Sequence, residues 1–168
     1  MLYGGYSGLE FWLYIYMSKN KIIVTGGAGF IGSHLTNELV KKGFEVHVID
    51  NLVSGKKERV NSKAVLHVLD IRNLKDIEPV FKGVSCVFHL AALPRVQLSI
   101  MDPKTSHDVN TSGTLNVLIA AKESKVKRVV YSASSSAYGN QTVFPLKENL
   151  LASPLSPYGL QKYIGELH

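Results

Sequence analysis

The feature that most constrains this chain is the regular alternation of short apolar runs with helical patterns from Lys21 to His168. Short β-branched runs predict buried strands, and apolar residues three or four positions apart predict the helices between them. Strands that alternate with helices form a parallel sheet with helices on both faces and right-handed crossovers. We therefore predict an α/β fold, a doubly wound parallel sheet. The predicted strands are 21–25, 44–50, 65–69, 84–90 and 128–132, and the predicted helices are 30–42, 74–81, 103–124 and one that begins at Ser156–Pro157.

Three of these helices carry more specific predictions. In helix 30–42 the apolar positions are 31, 35, 39 and 40, and Gly43 is expected to end it as a C-cap glycine. Helix 103–124 is expected to turn Val109, Leu115, Leu118 and Ile119 toward the core. The last helix has run only about three turns at His168, with no capping residue after it. The sequence therefore predicts an incomplete domain over residues 21–168, without the domain that would follow it.

Length and composition predict one ordinary globular domain. The chain has 168 residues, of which 45% are apolar and 19% charged, and its net charge is +6. The basic residues are scattered, so no nucleic-acid partner is expected. The single cysteine, Cys86, excludes an internal disulfide, is expected to lie in the core, and favours a reducing, cytoplasmic location.

The first residues do not resemble the rest of the chain. The apolar stretch Leu9–Met17 is too short to span a bilayer and lacks the features of a signal peptide. Met17 is followed by SKNKIIVTGG, which reads as a natural start. We therefore expect residues 1–20 to be an extension outside the fold, and we expect no membrane association.

A glycine-rich turn follows the first predicted strand. Gly26, Gly29 and Gly32 fit G-x-x-G-x-x-G between a strand and a helix, which is typical of a loop that binds a pyrophosphate. The second strand ends in Asp50, about 20 residues further on, where an acid accepts the ribose hydroxyls of a dinucleotide. An acid there repels a 2′-phosphate, so the pattern favours NAD over NADP. No Lys-Ser/Thr pair follows the glycines, which excludes a P-loop.

The ends of the third and fourth strands add candidate contacts with the cofactor. Asp70, followed by Ile71, could reach the adenine amino group, or it could simply begin a loop. Leu90, Ala91 and Ala92 end the fourth strand with small residues that would let a cofactor lie across it. His89 is interpreted as a hydrogen-bonded structural histidine.

A serine cluster and a tyrosine–lysine pair follow the last predicted strand. Tyr158 and Lys162 are four residues apart, so they share one face of a helix. A neighbouring ammonium and the positive ring of oxidised NAD both favour the phenolate of tyrosine, which makes it a general base near neutral pH. Residues 132–136 place serine hydroxyls at the carboxyl end of a strand, where open α/β sheets bind ligands.

Taken together, these motifs resemble the extended short-chain dehydrogenase/reductase family, and specifically its NAD-dependent epimerase/dehydratase group. UDP-glucose and UDP-N-acetylhexosamine 4-epimerases look most similar. The matching stretches are VTGGAGFIGSHL (24–35), VIDNL (48–52), LDIRN (69–73), FHLAAL (88–93), SI-x-DP (99–103), VNTSGTLNVL (109–118), YSASSSAYGN (131–140) and SPYGLQK (156–162).

The resemblance implies a Rossmann-type NAD-binding domain and a role for each matching residue. Tyr158 would be the base, Lys162 would hold the nicotinamide ribose, and Ser134 would bond the sugar hydroxyl. It implies no metal, a UDP-sugar substrate and a homodimer formed through helices 103–124 and 157–168. The residues expected to border NAD are Gly26, Gly29, Phe30, Ile31, Gly32, Asp50, Asn51, Asp70, Ile71, Leu90, Ala91, Ala92, Asn110, Ser132, Tyr158 and Lys162.

The serine cluster discriminates among reactions within the group. Dehydratases of the group resemble one another in carrying Thr-Asp-Glu where this chain has Ser134, Ser135 and Ser136, and the decarboxylases usually carry Glu at the third position. Three serines favour a 4-epimerase, with a dehydratase, decarboxylase or reductase of the same family, or a non-catalytic NAD-binding module, as alternatives. Arg95 is a candidate substrate contact. The 168-residue chain alone is expected to be inactive.

Overall fold

The computed structural model describes residues 21–168. The predicted N-terminal extension, residues 1–20, lies outside the described residues. The strands are β1 (Lys21–Thr25), β2 (Glu45–Asp50), β3 (Val65–Val68), β4 (Val84–His89) and β5 (Arg128–Tyr131). The α-helices are α1 (Phe30–Lys41), α2 (Leu74–Ile77), α3 (Val96–Met101), α4 (Pro103–His107), α5 (Gly113–Glu123) and α6 (Pro157–Leu167).

The five strands form one parallel sheet in the order β3-β2-β1-β4-β5. The chain moves outward from β1 to β3 and then returns to the other side of β1 with β4. The carboxyl ends of β1 and β4 therefore lie side by side where the winding direction reverses, the place at which open α/β sheets bind ligands. The predicted fold class is confirmed.

Alternate residues of the central strands fill two apolar cores. On one face, Ile23 and Ile49 pack in a cluster with Val117 of α5. On the other face, Val24 and Val48 pack in a cluster that includes residues of α1. Strands buried on both faces read as continuous apolar runs, which is why they were recognisable in the sequence.

Helix α1 ends as predicted. Gly43 has a φ of +86°, and its N–H donates to the carbonyl oxygen of Val40 (3.0 Å). The predicted apolar face of this helix is partly wrong, because Ile31 is exposed, whereas Leu39 is buried.

Several predicted boundaries differ from the structure. Residues 74–81 form the short helix α2 followed by a 3₁₀ turn, Glu78–Phe81, with Pro79 near its start. Helix α3 and the 3₁₀ turns Lys57–Arg59 and Ser135–Ala137 were not predicted. Strands β2 to β5 are each one residue shorter than predicted, since their end residues already belong to loops.

The long predicted helix 103–124 is continuous but not uniform. A π-helical turn, Asp108–Ser112, joins α4 to α5, and the N–H of Gly113 donates to the carbonyl oxygen of Asp108. The predicted inward face is wrong at Leu115, which is 40% exposed. Val109 does pack against the core, as predicted. The fully buried residues of this stretch are mostly small or polar, namely Ser106, Asn110, Thr111, Gly113, Thr114, Val117, Ala120 and Ala121.

Cys86 is free and buried in β4, as predicted. Among residues 21–168, no helix is long and apolar enough to cross a membrane.

Candidate active site

The glycine loop lies between β1 and α1 at the carboxyl ends of the strands. Gly26 has a φ of +71°, and its N–H donates to the carbonyl oxygen of Ile49 (2.8 Å). A Cβ on Gly32 would lie 2.2 Å from the carbonyl oxygen of Gly26, and a Cβ on Gly26 would lie 2.8 Å from the nitrogen of Ala91. Because there is no space for side chains at these contacts, β1, β4 and the start of α1 come together through their backbones.

The N-terminus of α1 is open to an anion. Gly29 is its N-cap, and no side chain accepts a hydrogen bond there. The first N–H groups of a helix have no partner within the helix and carry the positive end of its dipole. Phe30 and Ile31, in the first turn, are 73% and 65% exposed. The backbone of this turn is therefore suited to a pyrophosphate, as the sequence predicts.

Asp50 connects the glycine loop to the end of β2. One carboxylate oxygen accepts from the N–H of Ala28 (3.0 Å) and the other from the N–H of Leu52 (2.9 Å). A carboxylate has about four lone-pair positions, so each oxygen can still accept a hydroxyl proton. Asp50 is 9% exposed, and Gly55 lies so close that a Cβ there would be 2.7 Å from a carboxylate oxygen. This geometry is compatible with the predicted ribose contact.

Asp70 is already engaged within the protein. Its two oxygens accept from Nε (3.0 Å) and Nη2 (2.8 Å) of Arg72, and Asn51 donates to one of them (2.9 Å). These hydrogen bonds, chiefly those from Arg72, hold the pKa of Asp70 at about 2. Asp70 therefore stays ionised and can accept a hydrogen bond from one more donor. The Ile71 side chain is buried in the core, so only its backbone could border a cofactor.

His89, at the end of β4, belongs to a directed chain of hydrogen bonds. The hydroxyl oxygen of Thr25 accepts from the N–H groups of Leu90 (3.2 Å) and Ala91 (3.1 Å). Its proton is therefore available to His89 Nδ1, 2.7 Å away. On the other side of the ring, His89 Nε2 lies 2.9 Å from the hydroxyl of Thr114, which donates to the carbonyl oxygen of Asn110 (2.7 Å).

This arrangement requires a neutral imidazole with its proton on Nε2. Burial lowers the pKa of His89 to about 3, and the charge of Lys162 acts in the same direction. His89 is buried and hydrogen-bonded on both sides of its ring, as predicted. Thr25, which holds the loop after β4 through two N–H groups, was not predicted to have this role.

Asn110 clamps the loop that follows β4. Its Oδ1 accepts from the N–H of Leu93 (2.7 Å), and its Nδ2 donates to the carbonyl oxygen of the same residue (3.1 Å). The sequence predicts that Asn110 borders the cofactor. In the structure its side chain acts on the loop that includes Leu90, Ala91 and Ala92, which are half-buried.

The serine cluster forms a tight turn after β5. Ser134 caps the 3₁₀ turn Ser135–Ala137, and its Oγ accepts from the N–H of Ser136 (3.2 Å). Helix α6 packs against this turn at Gly159, where a Cβ would lie 2.5 Å from the carbonyl oxygen of Ser136. The structure therefore brings the serine turn and the tyrosine–lysine helix together.

Two serines fix the first turn of α6. Ser156 is the N-cap, as predicted, and its Oγ accepts from the N–H of Gly159 (3.1 Å). Ser99, on α3, accepts from the N–H of Tyr158 (3.1 Å) and donates to the carbonyl oxygen of Val96 (2.6 Å). Tyr158 itself is buried. Since Ser99 holds the backbone of Tyr158 from another helix, it is a site residue that the sequence analysis missed.

Lys162 is buried with its charge directed at the end of β5. Its Nζ donates to the carbonyl oxygen of Ser132 (2.9 Å) and lies 4.8 Å from the centroid of the Tyr131 ring. Burial lowers the pKa of Lys162 to about 8. Tyr131 stacks on His89, with ring centroids 5.7 Å apart, and burial raises the pKa of Tyr131 to about 12. Tyr131 is thus a second tyrosine in the site, and the sequence analysis gave it no role.

Arg95 is exposed at the N-cap of α3, and its side chain makes no hydrogen bond or ion pair within residues 21–168. Over residues 21–168, no group of three or more His, Cys, Asp or Glu side chains is arranged to hold a metal ion.

Comparison with known proteins identifies the family. The family model described as the NAD dependent epimerase/dehydratase family matches residues 22–168. The chain belongs to this family. The predicted family and cofactor are thereby confirmed, and the glycine contacts, the uncapped start of α1 and Asp50 fit an NAD molecule at this edge of the sheet.

The similar proteins named below are all described as nucleotide-sugar 4-epimerases. The chain is 42% identical over 148 residues to a putative UDP-glucose 4-epimerase of Methanocaldococcus jannaschii, covering 86% of this chain and 48% of that protein. A UDP-N-acetylglucosamine 4-epimerase from Methanobrevibacter ruminantium, solved with UDP-N-acetylmuramic acid, gives a TM-score of 0.84 at 38% identity and covers 89% and 49% of the two chains. A Thermus thermophilus UDP-glucose 4-epimerase solved with NAD gives 0.83 at 34% identity and covers 88% and 49%. The chain spans about half the length of the relatives it matches.

Proposed function

We propose that the full-length protein is a nucleotide-sugar 4-epimerase. It would interconvert UDP-glucose and UDP-galactose, or their N-acetyl forms, through a 4-keto intermediate. The names of the similar proteins support this reaction class. Support from the structure comes from one observation: Tyr158 and Lys162 are buried on one helix that packs against the Ser134–Ser136 turn.

The chain's own residues would hold the cofactor along the carboxyl edge of the sheet. The start of α1 would receive the pyrophosphate, Asp50 the adenosine ribose, and the backbone of Leu90–Ala92 would support the nicotinamide end. When bound, NAD supplies a reversible acceptor for the hydride on C4 of the sugar.

Tyr158 would move the proton that accompanies this hydride. Its phenolate takes the proton of the C4 hydroxyl, so the alcohol becomes a ketone, and it returns the proton when the alcohol is restored on the opposite face. Lys162, four residues further along the same helix, would hold the nicotinamide ribose beside it. Ser134 Oγ accepts from the N–H of Ser136, which leaves its own proton free to donate to the sugar oxygen.

The serine turn favours epimerisation over elimination. Loss of water from the sugar requires an acid and a base in addition to the redox step. The turn of residues 134–136 offers hydroxyl groups and no carboxylate. The turn therefore offers no group for this extra proton transfer, whereas reversible oxidation at C4 requires only Tyr158, Lys162 and a hydroxyl partner.

The test is Tyr158→Phe in the full-length protein, assayed for conversion of UDP-galactose to UDP-glucose and of the N-acetyl pair. We expect a loss of at least about 10²-fold in kcat, the usual range for a lost general base, with NAD still bound. The matched control is Tyr163→Phe, which makes the same chemical change five residues further along α6. Near-normal epimerisation by Tyr158→Phe would exclude the mechanism, and absence of epimerisation in the parent protein would exclude the function.

We also propose that the full-length protein is a homodimer that buries the outer faces of α5 and α6. Leu115 on α5 and Leu160 and Leu167 on α6 are exposed apolar residues that support this proposal. Light scattering of the protein and of Leu115→Glu tests it. A parent protein that is already monomeric at micromolar concentration would contradict it.

A further inference from the structure

A buried polar network connects α6 to the loop after β4. Gln161 Oε1 accepts from the Oγ of Ser106 (2.8 Å) and from the Nδ2 of Asn110 (2.8 Å). The three residues are 2%, 1% and 1% exposed. Asn110 in turn holds the N–H and the carbonyl oxygen of Leu93. Hydrogen bonds therefore connect the side-chain oxygen of Gln161 on α6, through Asn110, to Leu93 in the loop expected to border NAD.

The contacts fix the orientation of each amide. Asn110 Oδ1 receives the N–H of Leu93, so its Nδ2 must be the group that faces Gln161. The facing atom of Gln161 must then be its oxygen, because both of its neighbours donate. Gln161 also lies three residues after Tyr158 and one before Lys162, so a change in its position moves the face that carries both.

We propose that Gln161 is a positioning residue. Through Asn110, it sets the spacing between α6, which carries Tyr158 and Lys162, and the loop of residues 90–93. The role of Gln161 in catalysis rests on the proposed function, but the link from Gln161 through Asn110 to Leu93 can be tested without it. An apolar side chain at position 161 would leave two buried donors, on Ser106 and Asn110, without this acceptor, so the amide oxygen makes a contribution that no apolar residue of the same size could replace.

The experiment measures hydrogen exchange of the Leu93 amide by NMR in the full-length protein. Gln161→Met keeps the size of the side chain and removes the acceptor. We expect Leu93 to exchange about tenfold faster or more, the factor that corresponds to the loss of one buried hydrogen bond, although residue 161 does not touch Leu93. Gln161→Glu keeps an oxygen acceptor for both donors and is expected to retain the protection of Leu93.

The control is Ser156→Gly, which removes the N-cap of α6 without touching the network. It is expected to speed exchange in α6 and to leave Leu93 protected. Equal acceleration of Leu93 in Ser156→Gly and Gln161→Met, or no acceleration in Gln161→Met, would overturn the proposal. If Gln161→Met does not fold, Gln161→Asn withdraws the acceptor while an amide remains, and the same comparison applies.

A second measurement relates the coupling to the site. The dissociation constant for NAD is expected to rise about tenfold in Gln161→Met and to stay within about twofold of the parent in Gln161→Glu. Unchanged NAD affinity in Gln161→Met together with fast exchange at Leu93 would refute the role of Gln161 in the site. Failure of the epimerase proposal would be visible in the Tyr158→Phe assay and would leave the exchange result interpretable.

Discussion

The ammonium nitrogen of Lys162 lies 2.9 Å from the carbonyl oxygen of Ser132. This contact holds a buried cation at the end of β5, within 4.8 Å of the Tyr131 ring centroid. The carbonyl dipole and the aromatic face both stabilise a positive charge, while burial opposes it and lowers its pKa to about 8. The charge of Lys162 therefore titrates just above neutral pH.

The pH dependence of epimerisation follows from this pKa. As pH rises through about 8, Lys162 loses the positive charge with which it would hold the nicotinamide ribose, so kcat is expected to fall. Lys162→Arg keeps a cation at all these pH values and is expected to lower kcat at pH 7 but to remove this alkaline fall. Lys162→Met should lower kcat by about 10²-fold. A pH–rate profile with the same alkaline fall in Lys162→Arg would contradict this role.

Two alanine substitutions in the glycine loop should differ sharply. In Gly32→Ala the new Cβ would lie 2.2 Å from a carbonyl oxygen, whereas in Gly29→Ala the nearest atom is 3.1 Å away. Gly29 also has a φ of −76°, which any residue adopts. We expect Gly32→Ala to reduce the free energy of unfolding by about 1–3 kcal/mol or more and to abolish NAD binding. Gly29→Ala should cost less than about 1 kcal/mol. Denaturant unfolding and NAD titration of both variants check this ranking, and similar losses would contradict it.

His89 should make the stability of the protein depend on pH. Its pKa is about 3 in the folded state and 6.5 for an unperturbed histidine. Between these values the unfolded chain binds more protons than the folded one, so the free energy of unfolding falls as pH decreases from about 6.5 toward 3. Each pH unit within this window is worth about 1.4 kcal/mol. Denaturant unfolding at pH 7, 6 and 5 should reveal the slope.

His89→Asn supplies the control, because it removes the titrating group and leaves an acceptor for Thr25. It should be less stable at pH 7 and should lose most of the slope. A slope equal to that of the parent would mean that another group titrates.

Asp50 is expected to select between NAD and NADP. Its carboxylate lies at the end of β2 and would repel a 2′-phosphate. Asp50→Asn removes the charge, retains one acceptor oxygen and should shift the ratio of the two dissociation constants toward NADP by about tenfold or more. Calorimetric titration with NAD and with NADP tests this prediction. An unchanged ratio would mean that Asp50 only accepts the N–H groups of Ala28 and Leu52 and does not select the cofactor.

The features that could be predicted from the sequence depend on residues close to one another in the chain. The strand–glycine–helix unit, the N-cap at Ser156 and the pairing of Tyr158 with Lys162 depend on neighbours a few residues away. Ser99, Ser106 and Gln161 gave no such signal, because their partners lie 51 to 59 residues distant. The one available hint was a glutamine placed between the tyrosine and the lysine of the last helix.

The error on helix 103–124 has a different cause. Sequence analysis assigns large apolar residues to the interior, but here most of the fully buried residues of the helix are small or polar. A Cβ on Gly113 would lie 2.8 Å from the Ile71 side chain, and Ala120 and Ala121 continue this close contact. Leu115 therefore lies on the outer side of the helix, which no pattern of spacing distinguishes from the core side.

The exposed leucines on the outer faces of α5 and α6 have a practical consequence for handling the protein. A polypeptide that turns Leu115, Leu160 and Leu167 to the solvent will adhere to hydrophobic resins and to itself in proportion to its concentration, even while its own interior is perfectly formed. Poor recovery during purification would then reflect its outward-facing leucines, and dilution or a mild detergent would restore it where refolding would not.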